Sequence, residues 1–161
     1  MRNKTYFKIA ILMAILAIIN LFINYETILI QTNMNIYVIC IVVVISAVSI
    51  YFIDIFVVTL VTYFFNAILG CIVDIKKTFN IVGNALLCLP YIVIVNNILL
   101  LTPYKNIVLD RKWLLKIIYL PMYIIIFIKM KNKLLEETRN KTVSTMSALV
   151  GSATLFIMTG I

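Results

Sequence analysis

Residues 36–73 read IYVICIVVVISAVSIYFIDIFVVTLVTYFFNAILGCIV, an apolar stretch in which Asp54 is the single charged residue. As one α-helix, this stretch would be about 57 Å long, nearly twice the roughly 30 Å thickness of the hydrocarbon core of a bilayer. As two membrane spans, it would leave almost no residues for a connecting loop. The choice between these two threadings decides on which side of a membrane every later segment lies.

The composition of the whole chain is that of an integral membrane protein. Of its 161 residues, 64% are apolar and 12% are charged, whereas soluble domains have roughly 45–50% and about 25%. A water-soluble globule is therefore excluded, and the sequence predicts a single all-α transmembrane helical domain over residues 1–161. The 14 Lys and Arg residues outnumber six acidic residues. Their short clusters between apolar runs favour contact with anionic lipid head groups over nucleic acid.

The chain offers few of the side chains used in catalysis or metal binding. It has no histidine, and Cys40, Cys71 and Cys88 lie in apolar runs at spacings unlike those of metal or redox sites. The sequence also lacks paired acids within an apolar run and a glycine-rich phosphate loop. We therefore expect no enzymatic activity, no metal and no cofactor, and we expect the cysteines to be reduced.

The distribution of positive charge favours five membrane spans. Apolar runs predict spans near residues 6–23, within 36–73, and near 80–101, 113–128 and 142–161. If residues 36–73 cross once, ten Lys and Arg residues lie on the side of the N-terminus and four on the other side, whereas two crossings place seven on each. Because basic residues accumulate in cytoplasmic segments, we predict about five spans with a cytoplasmic N-terminus; six apolar helical segments are the alternative.

The second half of the long stretch carries a polar stripe. Four residues fall within an arc of about 80° on a helix with 100° per residue: Thr59, Thr62, Asn66 and Gly70. Ser46, Ser49 and Asp54 do not extend this arc, so the half before Asp54 is expected to have its own orientation. We predict a break near Asp54 that gives a span followed by an interfacial or re-entrant piece. A long tilted helix that projects beyond the membrane is the alternative.

Asp54 is the most distinctive candidate for a functional residue. An ionised carboxylate at the centre of a membrane helix costs roughly 2.5–3.5 kcal/mol on insertion, so such residues mark ion paths, proton relays or partner contacts. A break near position 54 would instead place Asp54 at a water interface, and this interpretation is favoured. A functional buried carboxylate and a role in helix pairing are the alternatives. Lys116 is the candidate basic partner near a span end.

Asparagines and a proline distinguish the span near residues 80–101. Asn84, Asn96 and Asn97 are expected to hydrogen-bond across helix pairs, as amides in membranes usually do. A polar substrate pocket is the alternative interpretation of these amides. Pro90 removes a backbone hydrogen bond, and together with Gly83 it predicts a bend in this span.

The last apolar run has a face of small residues that suits close helix packing. Ser144, Ala148 and Ser152 recur at intervals of four residues, with Ser147 and Gly151 alongside. Packing inside the bundle is favoured, and a dimer face is the alternative. The preceding residues 129–141 are expected to be solvated on the cytoplasmic side and to contact anionic lipid. Docking of a soluble partner is the alternative for that segment.

The segment after the long stretch resembles part of a known membrane family. Residues 76–85 read KKTFNIVGNA, and Leu89 and Pro90 follow. This pattern resembles the Yip-type (Ypt-interacting protein) family, in which a basic stretch with phenylalanine precedes a small-residue turn and a proline-containing span. The resemblance implies five spans with the N-terminus inside, and an accessory role beside complexes such as ABC-type exporters. The soluble N-terminal region of the eukaryotic members is lacking, so binding of a GTPase is not implied.

Three functions are compatible with these features. We expect a non-enzymatic accessory or partner-binding subunit of a membrane complex, or a homo-oligomer that organises the membrane. A small transporter or channel with a polar path around Asp54 is one alternative, and an immunity protein against a membrane-active peptide is another. Residue usage rich in Ile, Asn and Lys suggests a bacterial chain, and hence the bacterial cytoplasmic membrane as its location.

Overall fold

The protein is helical in the part of the chain that its structure describes. The computed structural model describes residues 3–24, 35–102 and 112–159; 91% of these lie in helices, and none lies in a strand. Within these ranges the α-helices are α1 (Asn3–Ile23), α2 (Ile36–Ile68), α3 (Ile75–Ala85), α4 (Leu89–Leu100), α5 (Lys112–Thr138) and α6 (Lys141–Thr159), and a 3₁₀ turn over Leu86–Cys88 connects α3 to α4. The predicted all-α fold is confirmed for these residues.

Within the described ranges, three helical segments are long and apolar enough to cross a membrane. They are Ile36–Ile68, which is α2; Ile75–Leu100, which combines α3, the 3₁₀ turn and α4; and Lys141–Met158, in α6. α1 contributes a shorter apolar helix over Phe7–Ile23. The apolar run near residues 113–128 lies in α5, which continues as a helix to Thr138. This set of helices fits an integral membrane protein.

The break predicted near Asp54 is wrong, because α2 runs without interruption from Ile36 to Ile68. The sequence of this range contains neither glycine nor proline, so nothing in it removes a backbone hydrogen bond or favours a non-helical conformation. At 1.5 Å per residue α2 is about 50 Å long, which exceeds the roughly 30 Å hydrocarbon core. The structure therefore adopts one long helix, which is the alternative to a break.

α2 ends at a glycine cap. Gly70 has φ +78°; its N–H donates to the Ala67 carbonyl oxygen (3.0 Å), and the Cys71 N–H donates to the Asn66 carbonyl oxygen (2.9 Å). These two bonds form a Schellman motif, in which the residue after the helix adopts a left-handed conformation that glycine accepts without a Cβ clash. The end of α2 is thus encoded locally at residues 66–71.

The helices form two compact units. The first contains α1, α2 up to Phe52, and α4; the second contains α2 from Ile53, α3, the 3₁₀ turn, α5 and α6. The division falls inside α2, which is continuous across it. Each unit has its own buried apolar side chains, such as Leu21 in the first and Ile126 in the second.

In the first unit, α1 and α4 are joined by amide hydrogen bonds. Asn20 Nδ2 donates to Asn97 Oδ1 (2.7 Å), and Asn97 Nδ2 donates to the Leu16 carbonyl oxygen (3.1 Å). An amide among apolar side chains is stabilised by such a partner on a neighbouring helix. The buried Asn97 therefore fixes the register of α4 against α1.

In the second unit, α3 and the 3₁₀ turn lie antiparallel to α5. The Lys77 ammonium pairs with the Glu137 carboxylate (2.7 Å) near the start of α3, and the Lys129 ammonium donates to the Cys88 sulfur (3.1 Å) at the end of the turn. The Asp74 carboxylate caps α3 by accepting from the Lys76 N–H (2.8 Å). Polar contacts thus hold both ends of the α3–α5 pair.

α5 and α6 form a helical hairpin. Arg139, with φ +53°, follows the last residue of α5, and the Asn140 Oδ1 caps α6 by accepting from the N–H groups of Thr142 (3.0 Å) and Val143 (3.2 Å). The Tyr123 ring of α5 packs edge-to-face on the Phe156 ring of α6, with centroids 5.1 Å apart. The hairpin encloses fully buried side chains from both helices: Met130, Leu134, Ala148 and Leu155.

The helix changes type between Gly83 and Pro90. α3 ends at Ala85, the 3₁₀ turn covers Leu86–Cys88, and Pro90 lies in the first turn of α4. Proline lacks an N–H, and its ring clashes with the carbonyl group four residues earlier in a continuous helix. A first helical turn tolerates proline because the N–H groups there have no helical acceptor. The interruption before Pro90 follows from this preference.

Candidate functional site

The second half of α2 buries a row of polar side chains. Asp54 is 5% exposed and Thr59 is 2% exposed, while Thr62 and Asn66 are completely buried. Together with the apolar residues buried among them, they form a face about 140° wide at 100° per residue. Asp54 lies at one edge of this face, about 27 Å along α2 from Ile36. The water-interface position predicted for Asp54 is therefore wrong, because the continuous helix carries its carboxylate into the protein.

The members of the predicted stripe differ in their hydrogen bonding. Thr59 Oγ1 donates to the Ile55 carbonyl oxygen (2.6 Å), as buried hydroxyls in helices commonly do. Thr62 Oγ1 and both amide atoms of Asn66 have no hydrogen-bond partner among the residues that the structure describes. Gly70, the remaining member, is exposed and caps the helix. An unpaired buried polar group costs about 1–3 kcal/mol, so packing alone does not account for Thr62 and Asn66.

α6 faces this row with its small residues. A Cβ atom built on Gly151 would lie 2.6 Å from Thr62 Oγ1, 2.6 Å from Met130 Cε and 3.5 Å from Val58 Cγ1. Helices α2, α5 and α6 therefore meet around Gly151, where only a hydrogen atom fits without movement. The other residues of the predicted small face are also buried within the second unit: Ser144, Ser147, Ala148 and Ser152.

The serines of α6 also differ in their hydrogen bonding. Ser144 Oγ donates to the Lys141 carbonyl oxygen (3.0 Å), and Ser152 Oγ donates to the Leu149 carbonyl oxygen (3.1 Å). Ser147 Oγ is buried and has no partner in the described part of the chain. Its position in the sequence does not distinguish it from its neighbours, since all three serines lie on the same small-residue face.

Thr62 is the member of this row whose approach to α6 is defined, through Gly151. Asn66 lies one turn beyond Thr62 along α2, and Ser147 lies one turn before Gly151 along α6. Asn66 and Ser147 both have buried side-chain polar atoms without a partner among the described residues.

The Asp54 carboxylate has no ion pair among the described residues. Lys116, the candidate partner predicted from the sequence, places its ammonium 5.7 Å from the centre of the Phe156 ring, a cation–π geometry. Its cation is therefore engaged with an aromatic face of α6. A buried carboxylate that has no cation beside it among the described residues is an unusual feature of an apolar helix.

The asparagines of the predicted third span belong to different units. Asn84 is half-buried in α3, in the second unit, whereas Asn96 and the buried Asn97 belong to α4, in the first. Asn97 has the interhelical role expected of such amides, since it bonds to Asn20 and Leu16.

Sequence reasoning missed two contacts of the second unit. The Met130 methyl group reaches Gly151, and Lys129 reaches Cys88 across 41 positions of sequence. No periodic pattern in the sequence predicts either contact, because each depends on how α5 packs against another helix. The connections predicted over residues 24–35 and 102–112 lie outside the described residues except at their ends, and so do two of the basic residues in the charge count, Lys105 and Arg111.

The site therefore consists of a buried carboxylate and of buried hydroxyl and amide groups that have no partner among the described residues. Within residues 3–24, 35–102 and 112–159, no three His, Cys, Asp or Glu side chains lie close enough together to hold a metal ion. Comparison of the chain with protein-family models, curated protein sequences and solved structures found no match.

Proposed function

We propose that this chain is a five-span protein of the bacterial cytoplasmic membrane that acts as a non-enzymatic, partner-binding subunit of a membrane complex, of the kind that accompanies ABC-type exporters. The observation that carries this proposal is the exposure of the first half of α2. From Ile36 to Ile50, Ile39 is the one buried residue. In a bilayer, this half of α2 is open to lipid or to a helix of another subunit.

Two serines on the exposed half of α2 favour a helix as its neighbour. The serine face, defined as Val42, Ser46, Ser49 and Ile50, is exposed and lies on one side of α2. Tyr37 is also exposed at the start of α2, where an aromatic ring suits the membrane interface. Ser46 and Ser49 then lie about 15 and 20 Å along the helix, in the hydrocarbon core. Hydroxyls at this depth are stabilised by about 0.6–2 kcal/mol through bonds to another helix.

A photo-crosslinking amino acid at Ser46 or Ser49 is expected to give one discrete protein adduct in native membranes, because the serine face would be covered by a partner helix. The matched control is Ile41, which is also exposed but lies on a different side of α2 from the serine face. Adducts are read by gel mobility and mass spectrometry. The double variant Ser46→Leu/Ser49→Leu should lose the co-purified partner, while Ile41→Leu should retain it. Equal crosslinking at all three positions would count against the proposal.

The five-span threading is supported by two features of the structure. α2 is one helix, so residues 36–68 need cross only once. Lys77 pairs with Glu137, which fits a common side for residues 74–79 and 129–141. With the N-terminus in the cytoplasm, both of these segments are cytoplasmic, and residues 102–112 are external.

A membrane-impermeant thiol reagent tests this threading. In a chain whose Cys40, Cys71 and Cys88 are replaced by alanine, Lys76→Cys and Asn132→Cys should react only after the membrane is opened, because both positions would face the cytoplasm. Lys105→Cys should react in intact cells and serves as the external control. Reaction of Lys76→Cys from outside would rule out the five-span arrangement.

A second candidate function is a polar path for protons or ions through the second unit. It is favoured by the buried Asp54 carboxylate, which lies on the same broad face as the unpaired Thr62 and Asn66. Ionisable residues inside a membrane bundle commonly mark such paths, and unpaired hydroxyl and amide groups can coordinate water or a cation along one. Replacement of Asp54 by asparagine distinguishes the two functions, because it should abolish flux through a polar path and leave partner binding unchanged.

A further inference from the structure

A pocket lined by apolar and polar side chains lies between α3 and α5, away from the buried row of α2. Its volume is about 450 Å³. Ile81, Asn84 and Ala85 line it from α3, and Lys129, Asn132, Lys133 and Glu136 line it from α5. The pocket lies between the two polar contacts that hold the pair, Lys77 with Glu137 and Lys129 with Cys88. These contacts fix both of its walls.

The charges of this pocket favour an anion. Lys133 is already neutralised, because its ammonium bonds to both carboxylate oxygens of Glu136 (2.8 and 2.7 Å). Lys129 bonds instead to the sulfur of Cys88 (3.1 Å), a weak acceptor that leaves the positive charge uncompensated. Asn84 and Asn132 add amide donors. The lining therefore presents one net positive charge and several N–H donors, which suits a phosphate group.

The position of the pocket along α5 favours a lipid as the source of that phosphate. α5 is apolar from Ile117 to Ile128 and then becomes rich in lysine, so the head-group region begins near Lys129. Ile118 and Ile125 are exposed on the same side of α5 as Lys129 and lead up to the pocket from the apolar part. A phosphate in the pocket would thus place its acyl chains along this apolar strip.

We propose that the pocket between α3 and α5 binds the phosphate group of an anionic phospholipid. The Lys129 ammonium supplies the main charge, Asn84 and Asn132 donate hydrogen bonds, and Ile118 and Ile125 contact an acyl chain. This site is independent of the serine face of α2 and of Asp54. It goes beyond partner binding, since it names a defined lipid site instead of a general attraction of basic residues to the membrane surface.

Native mass spectrometry of the full-length chain, extracted from bilayers of equal parts phosphatidylcholine and phosphatidylglycerol, tests this site. The wild type should retain one phosphatidylglycerol in preference to phosphatidylcholine. Lys129→Gln should weaken its retention about fivefold, the factor expected for one uncompensated lysine near an anionic surface. Lys131→Gln removes the same charge outside the pocket and should bind as the wild type does. Equal losses in the two variants would overturn the proposal.

Two further measurements test the amide donor and the lipid origin of the phosphate. Asn132→Leu keeps both lysines but removes a donor at the pocket and adds bulk, so it should also weaken phosphatidylglycerol retention; unchanged retention would contradict the site. For the second measurement, phosphatidylglycerol is first bound to delipidated protein in detergent, and inorganic phosphate is then titrated. The phosphate should not displace the phosphatidylglycerol. Displacement that depends on Lys129 would overturn the lipid assignment and indicate a soluble phosphate compound.

Discussion

Gly151→Leu is expected to destabilise the second unit by about 3 kcal/mol or more, the upper range for overpacking a closely packed site. A Cβ alone would lie 2.6 Å from Thr62 Oγ1 and from Met130 Cε. Met130 can move its terminal methyl group, but Thr62 is β-branched and stiff at χ1. The remaining leucine atoms would have to push α6 away from α2 and α5. Thermal unfolding in detergent, followed by circular dichroism, measures the loss.

The matched control for this change is Ala153→Leu. Residue 153 lies on α6 two positions away and is exposed, so a leucine there adds apolar surface without a clash. Thr62→Ala should partly rescue Gly151→Ala, because it removes one of the two atoms that the new Cβ would meet. If Gly151→Leu unfolds at the same temperature as Ala153→Leu, the three helices do not meet around Gly151.

Asp54→Asn is expected to reduce proton or ion flux to the level of protein-free vesicles if the buried face of α2 forms a polar path. Asparagine keeps nearly the same volume but cannot bind and release a proton or attract a cation as a carboxylate does. The fold should persist, because the change removes a buried carboxylate that has no ion pair among the described residues. Flux is measured in proteoliposomes with an internal pH-sensitive dye under an imposed potential.

The control for Asp54→Asn is Asp74→Asn, which alters an exposed carboxylate at the start of α3. This variant should retain the flux of the wild type. The polar path would be ruled out if the wild-type protein shows no flux, or if the flux of the Asp54→Asn variant equals that of the wild type. Such a result would leave the partner-binding proposal intact, because the serine face and Asp54 occupy different parts of α2.

The sequence predicts the helices well but misplaces the end of the long apolar helix. Composition and apolar runs were sufficient for an all-α membrane protein, because each helix needs only a local pattern. The break assigned to Asp54 failed because a single charge does not remove a backbone hydrogen bond. The residue that indicates the end of α2 is Gly70, since glycine after an apolar run is the usual residue of a helix C-cap.

The candidate site was predictable as a set of residues but not as an arrangement. The stripe of Thr59, Thr62 and Asn66 follows from helical angles alone, and the structure buries all three. Their environment depends on α6 and α5, which begin more than forty residues later in the chain. The unpaired state of Thr62 and Ser147, and the pocket beside Lys129, arise from packing between helices. The spacing of residues within one helix does not predict how that helix packs against another.

The uninterrupted length of α2 couples this protein to the thickness of its membrane. Its helix exceeds a typical hydrocarbon core by about 20 Å, and each ångström of mismatch costs a fraction of a kcal/mol in helix tilt or bilayer deformation. Thicker bilayers cover more of its exposed apolar side chains, so they lower this cost. For a helix of this length in a membrane, we therefore expect thicker bilayers to be preferred, before any partner or lipid head group is bound.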